Sequence, residues 1–161
     1  MKIALYVSIG LLVFAVIAIQ FGVLGGNRPA DLGVSNSRLK PPSPTRNSVS
    51  SQAALYPDHP QRDYADIKPL PLKSGAGENS LQALTAALRS VPGIKVVEQR
   101  PDYLHAEAET RWLKFVDDLE FWLNPARGVI EVRSASRLGR EDFGVNRQRV
   151  EAIRAAYLAQ P

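Results

Sequence analysis

The spacing of hydrophobic positions changes along this chain, and the changes divide it into three. From Ile3 to Gly26 there is no periodicity: the run IALYVSIGLLVFAVIAIQFGVLGG carries no charge, and only Ser8 and Gln20 are clearly polar. As a helix it reaches roughly 35 Å, enough for a hydrocarbon core of about 30 Å. A helix without a polar face is a poor core helix. A cleaved secretory signal has an apolar region of only about 7–15 residues. Val16-Ile17-Ala18 and Val23-Leu24-Gly25 are poor cleavage sites, so the run favours an uncleaved transmembrane anchor over a cleaved signal.

The third segment, 77–161, has the clearest periods. Asn79 can cap a helix with apolar positions Leu81, Leu84, Leu88 and Val91, stopped by Pro92-Gly93. Ile94–Arg100 reads as a strand and Pro101-Asp102 as a turn. Leu104, Ala106, Ala108, Thr110 and Trp112 then alternate with Tyr103, His105, Glu107, Glu109 and Arg111, the pattern of a strand with one wet face. Phe115–Leu123 and Val129–Arg137 are two more strands, joined by Asn-Pro-Ala-Arg-Gly. Phe143-Gly144 leads into a last helix with Val150, Ile153 and Tyr157 on one stripe. Short connections imply an antiparallel meander, and two helices on its apolar face make an α+β sandwich of four strands, or five with an added edge strand.

Between them, residues 27–76 hold eight of the twelve prolines, which disfavour long helices and central strands. Lys40–Ser51 has linker composition, yet Leu55, Tyr56, Tyr64, Ile67, Leu70 and Leu72 are too apolar for a pure tether. This segment is expected to lie extended and partly packed on the domain, with Ile67–Leu72 adding an edge strand. The organisation is thus an anchor or signal over 1–26, a Pro-rich extended segment over 27–76 and an α+β domain over 77–161.

Charge and composition narrow the function. The net charge of +4 comes from the first 76 residues, because 77–161 holds twelve basic and twelve acidic side chains. A nucleic-acid-binding domain concentrates positive charge on its folded part, so no nucleic-acid partner is expected. There is no cysteine, which excludes disulfides, thiolate metal sites and cysteine nucleophiles. His59 and His105 are far apart, and neither a metal nor a cofactor is predicted.

The candidate chemistry lies on the last two strands and the loop after them. Phe115, Leu119, Phe121 and Leu123 share a face with Asp117; Val116, Asp118, Glu120 and Trp122 point the other way. On the next strand Ile130 and Val132 share a face with Ser134 and Ser136, opposite Glu131, Arg133 and Arg137. Two registers match the apolar faces. Setting Asp118 against Arg133 puts Glu120 against Glu131, so the register pairing Glu120 with Arg133 is preferred, as an ion pair on a solvated face. A core-facing Asp117 needs a partner: Ser134, Ser136, an arginine of the following loop, or water at the sheet's edge. Asp117, Asp118 and Glu120 cannot converge on one hard cation without a bulge, and no G-x-S-x-G motif supports a serine hydrolase. Arg133 to Arg147 combines four arginines, two serines and a helix start, a composition suited to anions. Arg133, Ser134, Ser136, Arg137, Asn146 and Arg147 are the candidate ligand-binding residues, although neighbouring acids can equally neutralise the arginines. No catalytic residue is assigned.

Arg28-Pro-Ala-Asp-Leu-Gly33, Asn47-Ser-Val-Ser-Ser51, Phe115-Val-Asp-Asp-Leu-Glu-Phe121, Arg133-Ser-Ala-Ser-Arg-Leu-Gly139 and Asp142-Phe-Gly-Val-Asn-Arg147 occur in this order. In these segments, over roughly 28–158, the chain resembles the uncharacterised family called domain of unknown function 1499. Members often carry cysteines in the stretch corresponding to Pro41–Val49, one of them between the Asn and the Val, where Ser48 stands here. The resemblance implies an envelope or membrane context and brings no catalytic residues. The expectation is therefore a single-pass protein of the cell membrane, anchored through residues 3–26, with its domain outside the cytoplasm. That domain binds an envelope protein, lipid or glycan. The alternative is a hydrolase-like enzyme using Asp117 or Asp118 beside the arginine–serine loop.

Overall fold

The alternating segments of the C-terminal half form the strands their periods predict. The computed structural model describes residues 2–73 and 77–160, so residues 74–76, at the end of the Pro-rich segment, lie outside the described residues. In chain order the elements are helix α1 (Lys2–Gln20), strand β1 (Ser48–Ser50), short helix α2 (Arg62–Ala65), strand β2 (Leu70–Pro71) and helix α3 (Gly77–Ser90). Strands β3 (Ile94–Gln99), β4 (Tyr103–Glu109), β5 (Val116–Asn124) and β6 (Val129–Ser136) follow, then helix α4 (Val145–Leu158). The protein is α+β, with one antiparallel six-stranded sheet, flanking helices and an apolar N-terminal helix.

Strands β3 to β6 are the meander. The other two both lie along β6: Ser48–Ser50 against Arg133–Ala135, and Leu70–Pro71 against Val129–Ile130. The second falls within the expected edge strand. The first, Ser-Val-Ser, has too short a pattern to be read from periodicity. β4 ends at Glu109 rather than Trp112, because Thr110–Leu113 turns away and Lys114 takes a positive φ of 57°. The preferred register is the one found, with Glu120 directly across from Arg133.

Helices α3 and α4 cover one face of the sheet. Leu81, Leu84 and Leu88 of α3 and Val150, Ile153 and Tyr157 of α4 are buried with Leu104, Ala106, Leu119, Phe121, Ile130 and Val132. Each large side chain so buried contributes roughly 1.5–3 kcal/mol.

The opposite face is not the wet face that alternating charge suggests. The Pro-rich segment crosses it as a strap, and Leu39 packs with Tyr103 and Trp122 in a second, smaller cluster. Gln52 fastens the strap by accepting the Leu39 N–H at 2.8 Å. Proline suits this role, since it has no N–H that burial would leave unpaired. His105, Asp118, Glu120, Glu131 and Arg133 are consequently buried. The sequence shows their polarity but not the cover, which comes from far away in the chain.

Helix α1 stands apart, with no buried residue. It is long and apolar enough to cross a membrane, and near the N-terminus a signal sequence has the same character.

Candidate functional site

The strap face collects charged side chains that the meander places at alternating positions. Glu120 of β5 takes three donors. Arg133 Nη1 of β6 lies at 3.1 Å, the Tyr103 hydroxyl of β4 at 2.9 Å and the backbone N–H of Gly33 in the strap at 2.7 Å. Arg133 Nε also donates to the Pro41 carbonyl at 3.3 Å. One carboxylate thus ties two strands and the strap together. Burial first, and then the Glu120 carboxylate, push the Tyr103 phenol far above its ordinary pKa and keep it a donor.

Beside this group, Asp118 accepts from Arg137 Nη2 at 2.7 Å and Arg137 Nε at 2.9 Å, and meets His105 Nε2 at 2.8 Å. Arg137 also donates to Glu107. Burial pushes the Asp118 carboxyl up, but the guanidinium and the imidazole outweigh it and hold it below the ordinary carboxylate range. Asp118 in turn raises the pKa of Arg137. His105 is not the surface histidine its strand pattern suggests. It is fully buried, and its Nδ1 is, among the described residues, a buried nitrogen without a hydrogen-bond partner. Ligand atoms of His105, Glu107 and Asp118 lie within 4.8 Å of one another, a spacing that suits a metal ion. The Arg137 guanidinium already bonds both carboxylates, so a cation there has to displace it.

Between these side chains and the strap runs a cleft of about 470 Å3. Asp118, Arg133 and Arg137 form its sheet wall; Asp31, Lys40 and Pro41–Pro44 form its strap wall, with Ala135 and Ser136 also lining it. Lys40 Nζ meets Asp31 Oδ1 at 2.6 Å across an exposed edge. The Asp31–Lys40 pair and His105 are the members that sequence reasoning missed. Lys40-Pro-Pro has the composition of a linker, and only its distant contact with Arg133 reveals it as a wall.

The remaining candidates lie on the helix side. Asp117 is buried and paired with Arg149 of α4 at 2.7 Å, a partner from the helix rather than from the preceding loop. Asn146, fully buried in the first turn of α4, is a hub. Its amide donates to Asp142 Oδ2 at 2.8 Å, Ser136 Oγ at 3.0 Å and the Asn47 carbonyl at 3.2 Å, and its oxygen accepts from Ser134 Oγ at 2.5 Å. Asp142 also holds the Tyr64 hydroxyl and the N–H groups of Gly144 and Asn146. Burial and the Asp142 carboxylate push the Tyr64 phenol up to about 12. Arg147 reaches the Tyr64 carbonyl at 2.5 Å and the Asp66 carbonyl at 2.8 Å. Its partners are thus main-chain oxygens, not Asp142. The arrangement brings Arg133 and Arg137 to the cleft with Ser136 at its edge, and places Ser134, Asn146 and Arg147 in a group that fastens α4.

A family model described as protein of unknown function (DUF1499) matches residues 38–157, most of the chain, and the protein belongs to that family. The match takes in the cleft wall from Lys40 onward, both buried charge groups and α4. No curated protein matches the chain.

Proposed function

We propose that this DUF1499 protein is a single-pass, membrane-anchored binding module of the cell envelope, with its domain outside the cytoplasm. The observation that carries the reading is α1: an apolar helix long enough to cross a bilayer, with no residue buried against the domain. One N-terminal span followed by one domain favours export of the domain. Lys2 lies at the outer end of the span and Arg28 at the domain end, where it pairs with Glu98 at 3.2 Å, so the charge bias across the span is slight.

The strap cleft is the proposed binding site. Lys40, Arg133 and Arg137 supply donors for an envelope component bearing carboxylate, phosphate or hydroxyl groups. Binding is favoured over hydrolysis because Asp118 is saturated by Arg137 and His105, and Asp117 by Arg149, which leaves neither carboxylate available as a base.

The test uses the full chain in detergent micelles. It should be retained by membranes through carbonate washing, and a panel of envelope glycans, lipid headgroups and peptides should contain one that raises its melting temperature. Lys40→Met should abolish that shift and, since it gives up a partly exposed ion pair, should lower the ligand-free melting temperature little. Release by carbonate, recovery of a mature chain starting after the apolar run, or turnover of a panel member would each refute the reading.

A further inference from the structure

The loop between β4 and β5 ends the alternation of β4 with two apolar residues that enter neither core. Trp112 is 72% exposed and Leu113 47%. The turn presenting them is closed. Thr110 N–H donates to the Phe115 carbonyl at 2.9 Å, Lys114 N–H to the Thr110 carbonyl at 3.2 Å, and Phe115 N–H to Thr110 Oγ1 at 2.9 Å. Exposed apolar residues are common singly and need no explanation. The place of these two does.

Gln20, the last residue of α1, donates from its side-chain amide to the Trp112 carbonyl at 3.2 Å. Five residues later the chain is already part of the domain. A Cβ placed on Gly25 would lie 3.5 Å from Val116, and one on Gly26 would lie 2.9 Å from Arg137 Cβ. A five-residue connection spans at most about 18 Å, so the domain has no room to leave the helix end. Around that end Phe21 and Val23 are also exposed, and the Arg111 guanidinium lies 5.0 Å over the Trp112 ring. An indole beside a guanidinium, at the end of an apolar helix, has the composition of a membrane–water interface.

We infer that the β4–β5 turn, through Trp112 and Leu113, is a second membrane contact that inserts into the interfacial layer of the bilayer holding α1. The domain then lies on the membrane in a fixed attitude instead of turning freely on a tether. Arg111 sits at headgroup level and Trp112 just below it. This rests on α1 being an anchor, and it holds for either orientation of the span.

The test is quenching of tryptophan emission. The full chain and its Trp112→Phe variant are reconstituted into vesicles of phosphatidylcholine and phosphatidylglycerol, with or without phosphatidylcholine bearing a doxyl group near the headgroup. Only Trp112 and Trp122 emit, and Trp122 is buried under the strap. The unmodified protein should lose roughly half of its emission in the doxyl vesicles, and Trp112→Phe almost none. A soluble quencher such as iodide should show the reverse, with Trp112 protected in vesicles. Carbonate washing of the same vesicles separates the two readings. If the protein stays and Trp112 is not quenched, or both proteins are quenched alike, the contact is refuted and the anchor stands. If the protein is released, both fail.

Discussion

Removing the Arg133 side chain from Glu120 should destabilise the domain more than removing the charges of both. In Arg133→Met the carboxylate keeps the Tyr103 hydroxyl and the Gly33 N–H but loses its charged donor, while remaining fully buried. Stranding a buried charge typically costs about 3–5 kcal/mol, and the two remaining donors favour the low end, about 3 kcal/mol. In the double variant Glu120→Gln/Arg133→Met no charge is stranded. The Gln oxygen can still accept from Tyr103 and Gly33, so the loss should fall to about 1 kcal/mol. If Glu120→Gln alone costs about 1–2 kcal/mol, the coupling is about 3–4 kcal/mol, well above that of an exposed cross-strand pair, about 0.2–1 kcal/mol. Urea unfolding of the full chain in micelles, followed through tryptophan emission, measures all four corners of the cycle. Additive losses, or a double variant weaker than Arg133→Met, would refute the claim that this pair is a desolvated unit closing the strap.

Acid should loosen the strap face and the start of α4. Asp118, Asp142 and Asp31 all have carboxyl pKa values below the ordinary range. The unfolded chain therefore binds more protons than the folded one as pH falls below about 4, and stability present above that point is lost as pH drops through the depressed values. Melting curves of Asp118→Asn against pH should be flatter than those of the unmodified protein. Asn146→Leu removes one donor each from Asp142 and the Asn47 carbonyl and leaves the buried Ser134 hydroxyl without its acceptor, and should lower stability by roughly 1–3 kcal/mol in urea titrations. Arg147→Ala removes donors from two carbonyls and should cost about 1 kcal/mol with or without phosphate; an anion-dependent shift confined to the unmodified protein would contradict this. Gly26→Ala puts a Cβ at a φ of 68° and 2.9 Å from Arg137 Cβ, and should cost at least about 1–2 kcal/mol in the same titrations.

The meander was legible because each strand buries one apolar face, and period-2 alternation records that burial. Even the pairing of Glu120 with Arg133 could be read, since the competing register sets two glutamates opposite each other. What was not legible was the other face. Tyr103, His105, Glu107, Asp118, Glu120 and Arg133 have the polarity of solvated positions, and alternation cannot distinguish water from a polar cover. The cover is non-local, and its proline composition suggests a linker. The two arginines of the cleft were found by composition, whereas Lys40 and Asp31 become cleft residues only through their packing 90 or so positions away from β6. Arg147 drew attention as a cation at a helix start, and its partners proved to be carbonyls of the Tyr64–Asp66 turn.

The strap also sets an order of events for the growing chain. Residues 28–52 are made directly after α1, yet everything they grip is made later. Gly33 binds Glu120, Pro41 binds Arg133, and Ser48–Ser50 pairs with the penultimate element of the chain. The earliest part of the domain is thus the last to be fixed, and closing it means ordering a loop of some eighty residues. Until β6 appears the strap lacks its attachments to Arg133 and Ala135, and nothing on β6 holds Leu39 over Tyr103 and Trp122. A chain stopped before Val129 would keep α1 and the beginnings of its sheet but could not close. Its exposed aromatic surface would make it prone to aggregate.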